Sequence, residues 1–480
     1  IMLPYTPLHA LLMAELAFPV VATSGNLSDE PICIDEREAL GRLQGIADRF
    51  LVHDRPIARH ADDSVAYVLA GVTRLLRRAR GWAPSPVDLG RPGPPLLAVG
   101  AHLKNTVAVH TGDSVFISQH IGDMETPQAC RAFETVIADL LQMCRVEPAA
   151  IAHDLHPDYV STRWAQRAVG EPAMPGDSGL PIGLQGARLV AVQHHHAHLA
   201  SCLADTGVEG RALGVTWDGT GHGTDGTIWG GEFLLGDASS FRRVGRLRPF
   251  RLPGGDAAVR EPRRTSLSLL WQIAGEAALG EDRLAPIEDL SPTERKLVIR
   301  MLETGFRSPI TSSAGRLFDG LAALTGLAQR VTFEGQAAMA LEHVADPSVK
   351  DAYPFVVAAG DPSAPEDDAE LQEIDWRPLV SAALDDIRRG TATGIIAARF
   401  HNALAAAVVE LARRVGEPRV ALSGGCFQNR LLTAAALRGL EAAGFEVLLH
   451  RQVPANDGGI SLGQVAVAAA RLRGETNQEE

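Results

Sequence analysis

Short apolar runs alternate with longer amphipathic stretches along the chain, the pattern of an α/β protein. An apolar periodicity over 8–17 predicts a helix, and Phe18–Thr23 a strand that turns at Ser24-Gly25-Asn26. Further strands are expected near Phe50–His53 and at Ser64–Leu69. The stretch 83–95, APSPVDLGRPGPP, has the composition of a semi-rigid spacer between domains. Beyond it, Leu96–Gly100 reads as a strand, Thr106–His110 and Ser114–Ser118 as a hairpin, and about 126–145 as a helix. A related order recurs: strand Arg211–Trp217, a Gly-rich loop at 218–226, return strand Thr227–Leu235. The plan repeats with little residue identity, which predicts a duplicated α/β domain. Residues 239–345 read as mainly helical, 346–375 as an acidic solvated loop and about 377–415 as helix. Strand Arg419–Leu422, a Gly-Gly turn, a helix from about Arg430, strand Phe445–His450 and helix 461–473 follow, and the tail GETNQEE is expected to fray.

With 480 residues the chain is long enough for two or more domains, and 46% hydrophobic content supplies a core of normal size. A formal net charge of −13 argues against a surface that coats nucleic acid, which needs clustered Lys and Arg. The five cysteines, Cys33, Cys130, Cys144, Cys202 and Cys426, contain no C-x-x-C pair, so they read as free thiols in a reducing compartment. No uninterrupted run of 18 apolar residues predicts a membrane span, and the apolar start lacks a basic leader. The chain begins on Ile within what reads as an element. These features together predict a piece of a longer cytoplasmic protein.

The segment Gln193-His194-His195-His196-Ala197-His198 precedes a helical run that Gly207 would end. On a helix, His194 and His198 fall on one face with Cβ atoms roughly 6 Å apart, so two imidazoles can converge on one ion while His195 and His196 point elsewhere. Two ligands do not complete a site. Asp218 in WDGTGHG and Asp457 in NDGG are carboxylates on sharp Gly-rich turns and are the candidates to close it, though such aspartates also serve as plain turn residues. The loop around Gly219, Thr220 and Gly221, the Gly424-Gly425 turn, and GAHLKNT with Lys104 could present backbone amides and a cation to phosphates. Three such turns after strands point to a nucleotide cleft, against the plainer reading of tight turns.

At these residues the chain resembles a known family. QHHHAHLAS, WDGTGHGTDGTIWGGE, SSAGRLFDGLAAL, TFEGQAAMALE, SGGCFQNRLL and NDGGISLGQ are similar, in order and spacing, to the carbamoyltransferases of the actin-like ATPase superfamily, relatives of the threonylcarbamoyl transferases of tRNA. Upstream, MLPYTPLHALL, VATSGNLSDEP and HDRPIARHADDSV resemble the second half of a YrdC-like, carbamoyl-adenylate-forming domain. Antibiotic O-carbamoyltransferases place that domain second. Here it comes first, as in the carbamoyltransferase family of NiFe-hydrogenase maturation, whose members also carry an acylphosphatase-like domain and C-x-x-C zinc motifs that this sequence does not include.

The resemblance implies a partial YrdC-like domain over 1–88 and a duplicated actin-like (ASKHA) domain over 89–480, with a helical insertion at about 239–345. It assigns His194, His198, Asp218 and Asp457 to a divalent metal, Zn or Fe. It matches Asp319, Gly335 with its neighbour Glu334, Gly424, Gly425 and Asn429 to the nucleotide site, and Ser24 and Asn26 to the YrdC-like adenylate site. The implied chemistry draws on carbamoyl phosphate in the full-length enzyme and on ATP with Mg, which yield carbamoyl-AMP. The carbamoyl group then passes to the C-terminal cysteine of a partner hydrogenase-maturation protein for cyanide-ligand synthesis. The nucleophile is therefore expected from the partner, and Cys426 is read as structural. A small-molecule O-carbamoyltransferase is disfavoured by domain order, a non-catalytic nucleotide-gated module by the metal constellation, and tRNA modification by the acidic balance.

Overall fold

From Pro86 onward two sheets are built to one plan. In the first, the strands run in the order Ala108–Ile117, Pro86–Ala98, Ala150–Asp154, Arg188–Val192, the first pair antiparallel and the others parallel. In the second, Ile228–Gly236, Ala212–His222, Arg419–Ser423 and Glu446–Leu449 repeat that order and those senses. The duplication expected from the sequence is therefore present in the topology. The second sheet is extended at its hairpin edge by Phe241–Leu247, Gln372–Asp375 and Val356–Ala358. This computed structural model describes residues 2–28, 30–170, 184–280, 284–359 and 371–479.

Each sheet is followed by a helix that packs on the other sheet. Leu199, Cys202 and Leu203 of helix His194–Thr206 join Ala212, Leu234, Ala421 and Leu448 of the second sheet. Ile460, Leu462, Val465 and Ala469 of helix Ile460–Glu479 join Leu96, Ala108, Val115 and Ala152 of the first. The two helices cross at Gly463, where a Cβ would lie 1.9 Å from the Ala197 carbonyl oxygen. Only glycine permits that approach. The crossing places the N-terminal ends of both helices beside each other, between the sheets.

Several sequence expectations are corrected. The Pro-rich stretch 83–95 is not a spacer: from Pro86 it is strand, paired with 112–116. Only Leu96–Ala98 is paired on both sides, so its prolines lie where one edge is open and a missing N–H costs no ladder bond. Thr106–His110 and Ser114–Ser118 form no hairpin; they belong to one strand, Ala108–Ile117, in which Gly112 takes φ 71°. The loop assigned to 218–226 is half strand, since Ala212–His222 runs through it with an irregularity between Trp217 and Gly221. The insertion opens with strand Phe241–Leu247 and turns helical only at Asp256. Within the expected acidic loop, Val356–Ala358 and Gln372–Asp375 pair as strands, while 360–370 lie outside the described residues. The last helix continues to Glu479, through the tail expected to fray.

The N-terminal segment departs most. Helix Pro7–Leu16 forms but has no buried residue, and Leu8, Leu11, Leu12 and Leu16 are exposed. Phe18–Thr23 and Phe50–His53 are not strands. A strand needs a neighbour for its backbone groups, and these two find none among the described residues. Val65–Leu69 does form, because Val72–Arg77 returns against it as a hairpin. Arg74 of the return strand and Arg78 just beyond it act as a clamp. Arg78 is buried and donates to the carbonyls of Gln452, Ile117, Trp82 and Ser85, and Arg74 donates to those of Leu449 and His450.

Candidate metal and nucleotide site

The helix of the histidine cluster begins at His194, capped by the Gln193 side chain, which accepts from the His196 amide at 2.8 Å, and ends at Gly207 in the left-handed conformation. That start sets the facing. His194 and His198 stand one turn apart and point into the seam between the sheets. His195 instead packs against Trp229, and His196 Nε2 bonds the Asp237 carbonyl at 2.7 Å. Asp218 arrives on strand Ala212–His222, and Asp457 opens the turn Asp457–Gly459 that leads into the closing helix.

Among the described residues these four are the group of His, Cys, Asp or Glu able to hold an ion, with one donor atom from each lying within 4.8 Å of all the others. His198 Nε2 is 3.0 Å from Asp218 Oδ2 and 3.7 Å from Asp457 Oδ1; His194 Nε2 is 3.5 and 3.6 Å from the same oxygens. Burial disfavours charge on both imidazoles, yet the Asp457 and Asp154 carboxylates hold His194 well above its ordinary pKa, and Asp218 raises His198. Asp218 in turn lies well below the carboxylate range, against its own burial, through the neighbouring imidazoles of His194 and His198.

His194 Nε2 is buried and lacks a hydrogen-bond partner. Its other nitrogen, Nδ1, bonds Asp154 Oδ2 at 2.8 Å, which leaves Nε2 as the ligand nitrogen. Two imidazole nitrogens and two carboxylate oxygens around an orphaned nitrogen fit a divalent ion of intermediate softness such as Zn or Fe(II). Asp154 carried no signal in the spacing of the cluster. It ends a strand 40 residues upstream of His194, and only the fold brings them together.

The predicted nucleotide residues divide by what they touch. The Lys104 ammonium pairs with the Glu334 carboxylate, and despite burial Glu334 and Asp457 hold it above its ordinary pKa. Both lie beside the metal group. Gly219 faces Arg316 and Glu334, each 3.4 Å from where a Cβ would stand. Arg316, missed in the sequence, reaches this place because Ser313, the N-cap of helix Ala314–Leu324, donates to the carbonyls of Asp218 and Gly219 at 2.8 Å. Asp319 lies one turn along that helix, 2.8 Å from Arg316, and burial raises its carboxyl to about 6. Gly335 starts helix Gln336–Val344 at φ 77°, and Thr220 is exposed.

Other glycines serve the protein itself. The amides of Gly219 and Gly425, read from sequence as phosphate donors, both point at Asp218 Oδ1, at 2.8 and 3.2 Å. Gly221 is glycine because the His195 ring would lie 2.4 Å from a Cβ, and Gly424 because the Trp217 carbonyl would lie 2.2 Å away. Asn429 caps helix Arg430–Ala442 through the Leu432 amide and bonds His401 Nε2 at 2.8 Å, so its side chain is engaged. The Cys426 thiol is pushed well above its ordinary pKa by burial, consistent with a structural residue.

Ser24 and Asn26 stand apart from the metal group, in a cavity of about 300 Å³ at the seam between the N-terminal segment and the first sheet. Lys104 lines that cavity too, with Arg77, His60 and His120. Asn26 Oδ1 and His60 Nε2 are buried there without partners.

Comparison with known proteins shows the family. The second-subdomain model of the Kae1-like carbamoyltransferase domain matches 214–464, the HypF Kae1-like domain model matches 91–205, and the Sua5/YciO/YrdC model, described as telomere recombination, matches 1–79. A crystal structure of full-length HypF in the phosphate- and nucleotide-bound form superposes with a TM-score of 0.88 at 38% identity, covering 98% of this chain and 70% of that one. The chain belongs to the HypF family. Carbamoyltransferase HypF of Synechocystis sp. is 42% identical over 97% of this chain and 59% of its own length, and the chain spans about three fifths of the HypF relatives of that size. A shorter HypF homolog of Cupriavidus necator is 37% identical over 80% of this chain and 95% of its own.

Proposed function

We propose that this chain transfers a carbamoyl group from carbamoyl-AMP to the C-terminal cysteine thiolate of a hydrogenase-maturation partner, as the last step of an ATP-dependent reaction. The observation that carries the reading is the four-donor group at the seam of a duplicated actin-like domain, with Lys104, Arg316 and Glu334 beside it. HypF relatives bear the carbamoyltransferase name, and one of them is scarcely longer than the region it shares with this chain.

In this reading His194, His198, Asp218 and Asp457 hold a divalent ion, which when bound supplies Lewis acidity at the carbamoyl–phosphate junction. The protein's own groups do the rest. Lys104 and Arg316 receive the phosphate of AMP and neutralise the charge it gains as it leaves. Glu334 keeps Lys104 in place until a phosphate competes for it. Sulfur of the partner's thiolate bonds to the carbamoyl carbon, the carbon–oxygen bond to phosphate breaks, and AMP departs with that electron pair. The thiol proton has already gone to solvent. Ser24 and Asn26 bind the adenylate where it is made, and because Lys104 lines their cavity as well as adjoining the metal group, it touches both ends of the transfer.

The test supplies carbamoyl-AMP to the metal-loaded chain together with a partner protein ending in cysteine, and reads the partner by mass spectrometry. A carbamoylated C-terminal thiol with release of AMP is expected. Hydrolysis of carbamoyl-AMP to AMP with no modified thiol, or transfer only to a hydroxylated small molecule, overturns the reading.

A further inference from the structure

The two metal-facing histidines are supported in unlike ways. Behind His194 stands a carboxylate, Asp154. Behind His198 stands Ser423, at the matching strand end of the second sheet, with Oγ 3.5 Å from His198 Nδ1. Ser423 is fully buried and its Oγ also bonds His450 Nε2 at 2.8 Å. His450 Nδ1 faces Asp205 Oδ2 at 3.5 Å. Asp205 is fixed from the other side by the amides of Arg451 and Gln452, at 2.5 and 2.9 Å. The reaction proposed above uses none of Asp205, His450 and Ser423. A buried aspartate, histidine and serine in series are costly to retain unless each is satisfied.

Proton placement along the series follows from chemistry alone. For His198 to offer Nε2 to an ion, its proton must sit on Nδ1 and be donated to Ser423 Oγ. The serine hydroxyl then donates to His450 Nε2. That nitrogen must be unprotonated, so the His450 proton sits on Nδ1, toward Asp205. One arrangement of protons gives every nitrogen and oxygen of the series a facing partner, with a single negative charge on Asp205. Burial keeps His450 neutral, below its ordinary pKa, as this requires. The Ser423–His198 link at 3.5 Å is at the limit for a hydrogen bond, whereas His450 Nδ1 has no hydrogen-bond partner in this structure and lies 3.5 Å from Asp205 Oδ2, where a shift of a few tenths of an ångström would pair them.

The same segment is gripped from outside. Arg74 donates to the carbonyls of Leu449 and His450, Arg78 to that of Gln452, and the Leu76 carbonyl accepts from Asn456. The hairpin of the N-terminal segment thus holds the stretch that carries His450 and ends at the ligand Asp457.

We propose that Asp205, His450 and Ser423 form a positioning relay that fixes the tautomer and orientation of His198 as a metal ligand. The proposal rests on the four-ligand reading of the site and not on the identity of the acceptor. The relay strengthens metal binding without touching the ion, and second-shell groups of this kind are worth about 10–100-fold in affinity.

The experiment is competition of Co(II) and Zn(II) against a chromophoric chelator for the parent chain, Ser423→Ala and His450→Phe, with the Co(II) ligand-field spectrum recorded for each. Ser423→Ala removes one buried oxygen and leaves the packing in place, and far-UV dichroism and urea melting of the metal-free proteins check the fold. The relay predicts 10–100-fold weaker binding in both variants, a shifted Co(II) spectrum, and recovery of affinity in Ser423→Thr, which restores the hydroxyl. Parent-like affinity and spectrum in a folded Ser423→Ala overturn the relay while leaving the four-ligand site standing. Failure of the parent itself to bind either ion overturns the site and the relay with it.

Discussion

Gly463→Ala sets two physical effects against each other with opposite signs. Inside helix Ile460–Glu479 the substitution improves helix propensity by about 1 kcal/mol. Yet the new methyl would stand 1.9 Å from the Ala197 carbonyl oxygen, where real contacts do not fall below 3.0 Å, so the two helices must part by about 1 Å. Overpacking of this kind costs about 1–3 kcal/mol, and this site belongs at the upper end because the obstacle is a backbone atom that no rotamer change can move. A net loss of about 2 kcal/mol is expected. It is read as a lower urea midpoint with unchanged slope for the metal-free protein. The parting also separates His198, next to Ala197, from Asp457 at the start of the other helix. Zn(II) affinity should therefore fall as well, since geometry at a first-shell site tolerates little displacement. A Gly463→Ala protein as stable as the parent, or more stable, refutes the close crossing and with it the argument for how the ligands are brought together.

Three further outcomes are expected. His198→Ala loses bound metal and transfer activity while the metal-free fold survives, and in the parent metal should raise the melting temperature, by about 2.7 kcal/mol of stabilisation at a hundredfold excess over Kd; full metal content by elemental analysis in the variant contradicts the assignment. Lys104→Met weakens binding of AMP, measured calorimetrically, by about 1.5–3 kcal/mol, the worth of a hydrogen bond to a charged group; unchanged affinity removes Lys104 from the phosphate site. Asp319 has a folded pKa raised from 3.8 to about 6, so its neutral form favours the fold, and that contribution is full below pH 3.8 and lost as pH rises through 6. In Asp319→Asn the corresponding decline in stability between pH 4 and 6, of order 3 kcal/mol at 1.36 kcal/mol per pH unit, should be absent when melts of parent and variant are subtracted; identical pH profiles contradict the shift.

The duplicated plan and the facing of the two histidines were legible in the sequence because they rest on local signals. Helical spacing puts His194 and His198 on one face, whereas the Gly-rich surroundings of Asp218 and Asp457 fit plain turn residues equally well and it is the family resemblance that singles them out. Residues that act across the fold left no such trace. Asp154, Ser423 and His450 are single polar residues at strand ends, and only the pairing of strands far apart in the chain places them behind the histidines. Glycines carry an ambiguous signal for a related reason. Sequence shows that a side chain is missing at Gly219, Gly221 and Gly425, but not whether a ligand or a neighbouring part of the protein needs the space. The Pro-rich 86–95 strand and the unpaired N-terminal runs show the converse, since strand formation is decided by the presence of a partner more than by composition.

The reciprocal packing of the two sheet-ending helices has a consequence for synthesis on the ribosome. The first sheet is complete in sequence at Val192, but the apolar face formed by Leu96, Ala108, Val115 and Ala152 is covered by residues 460–469. At about 5–20 residues per second, that face waits on the order of 20 to 75 s from emergence of its first strand until its cover exists. During that interval the sheet carries an uncovered hydrophobic surface, the situation in which nascent chains call on holdase chaperones. Truncation ahead of Ile460 should therefore yield aggregation rather than a folded N-terminal half, and silent changes that slow translation between the two helices should lower soluble yield without altering the finished protein.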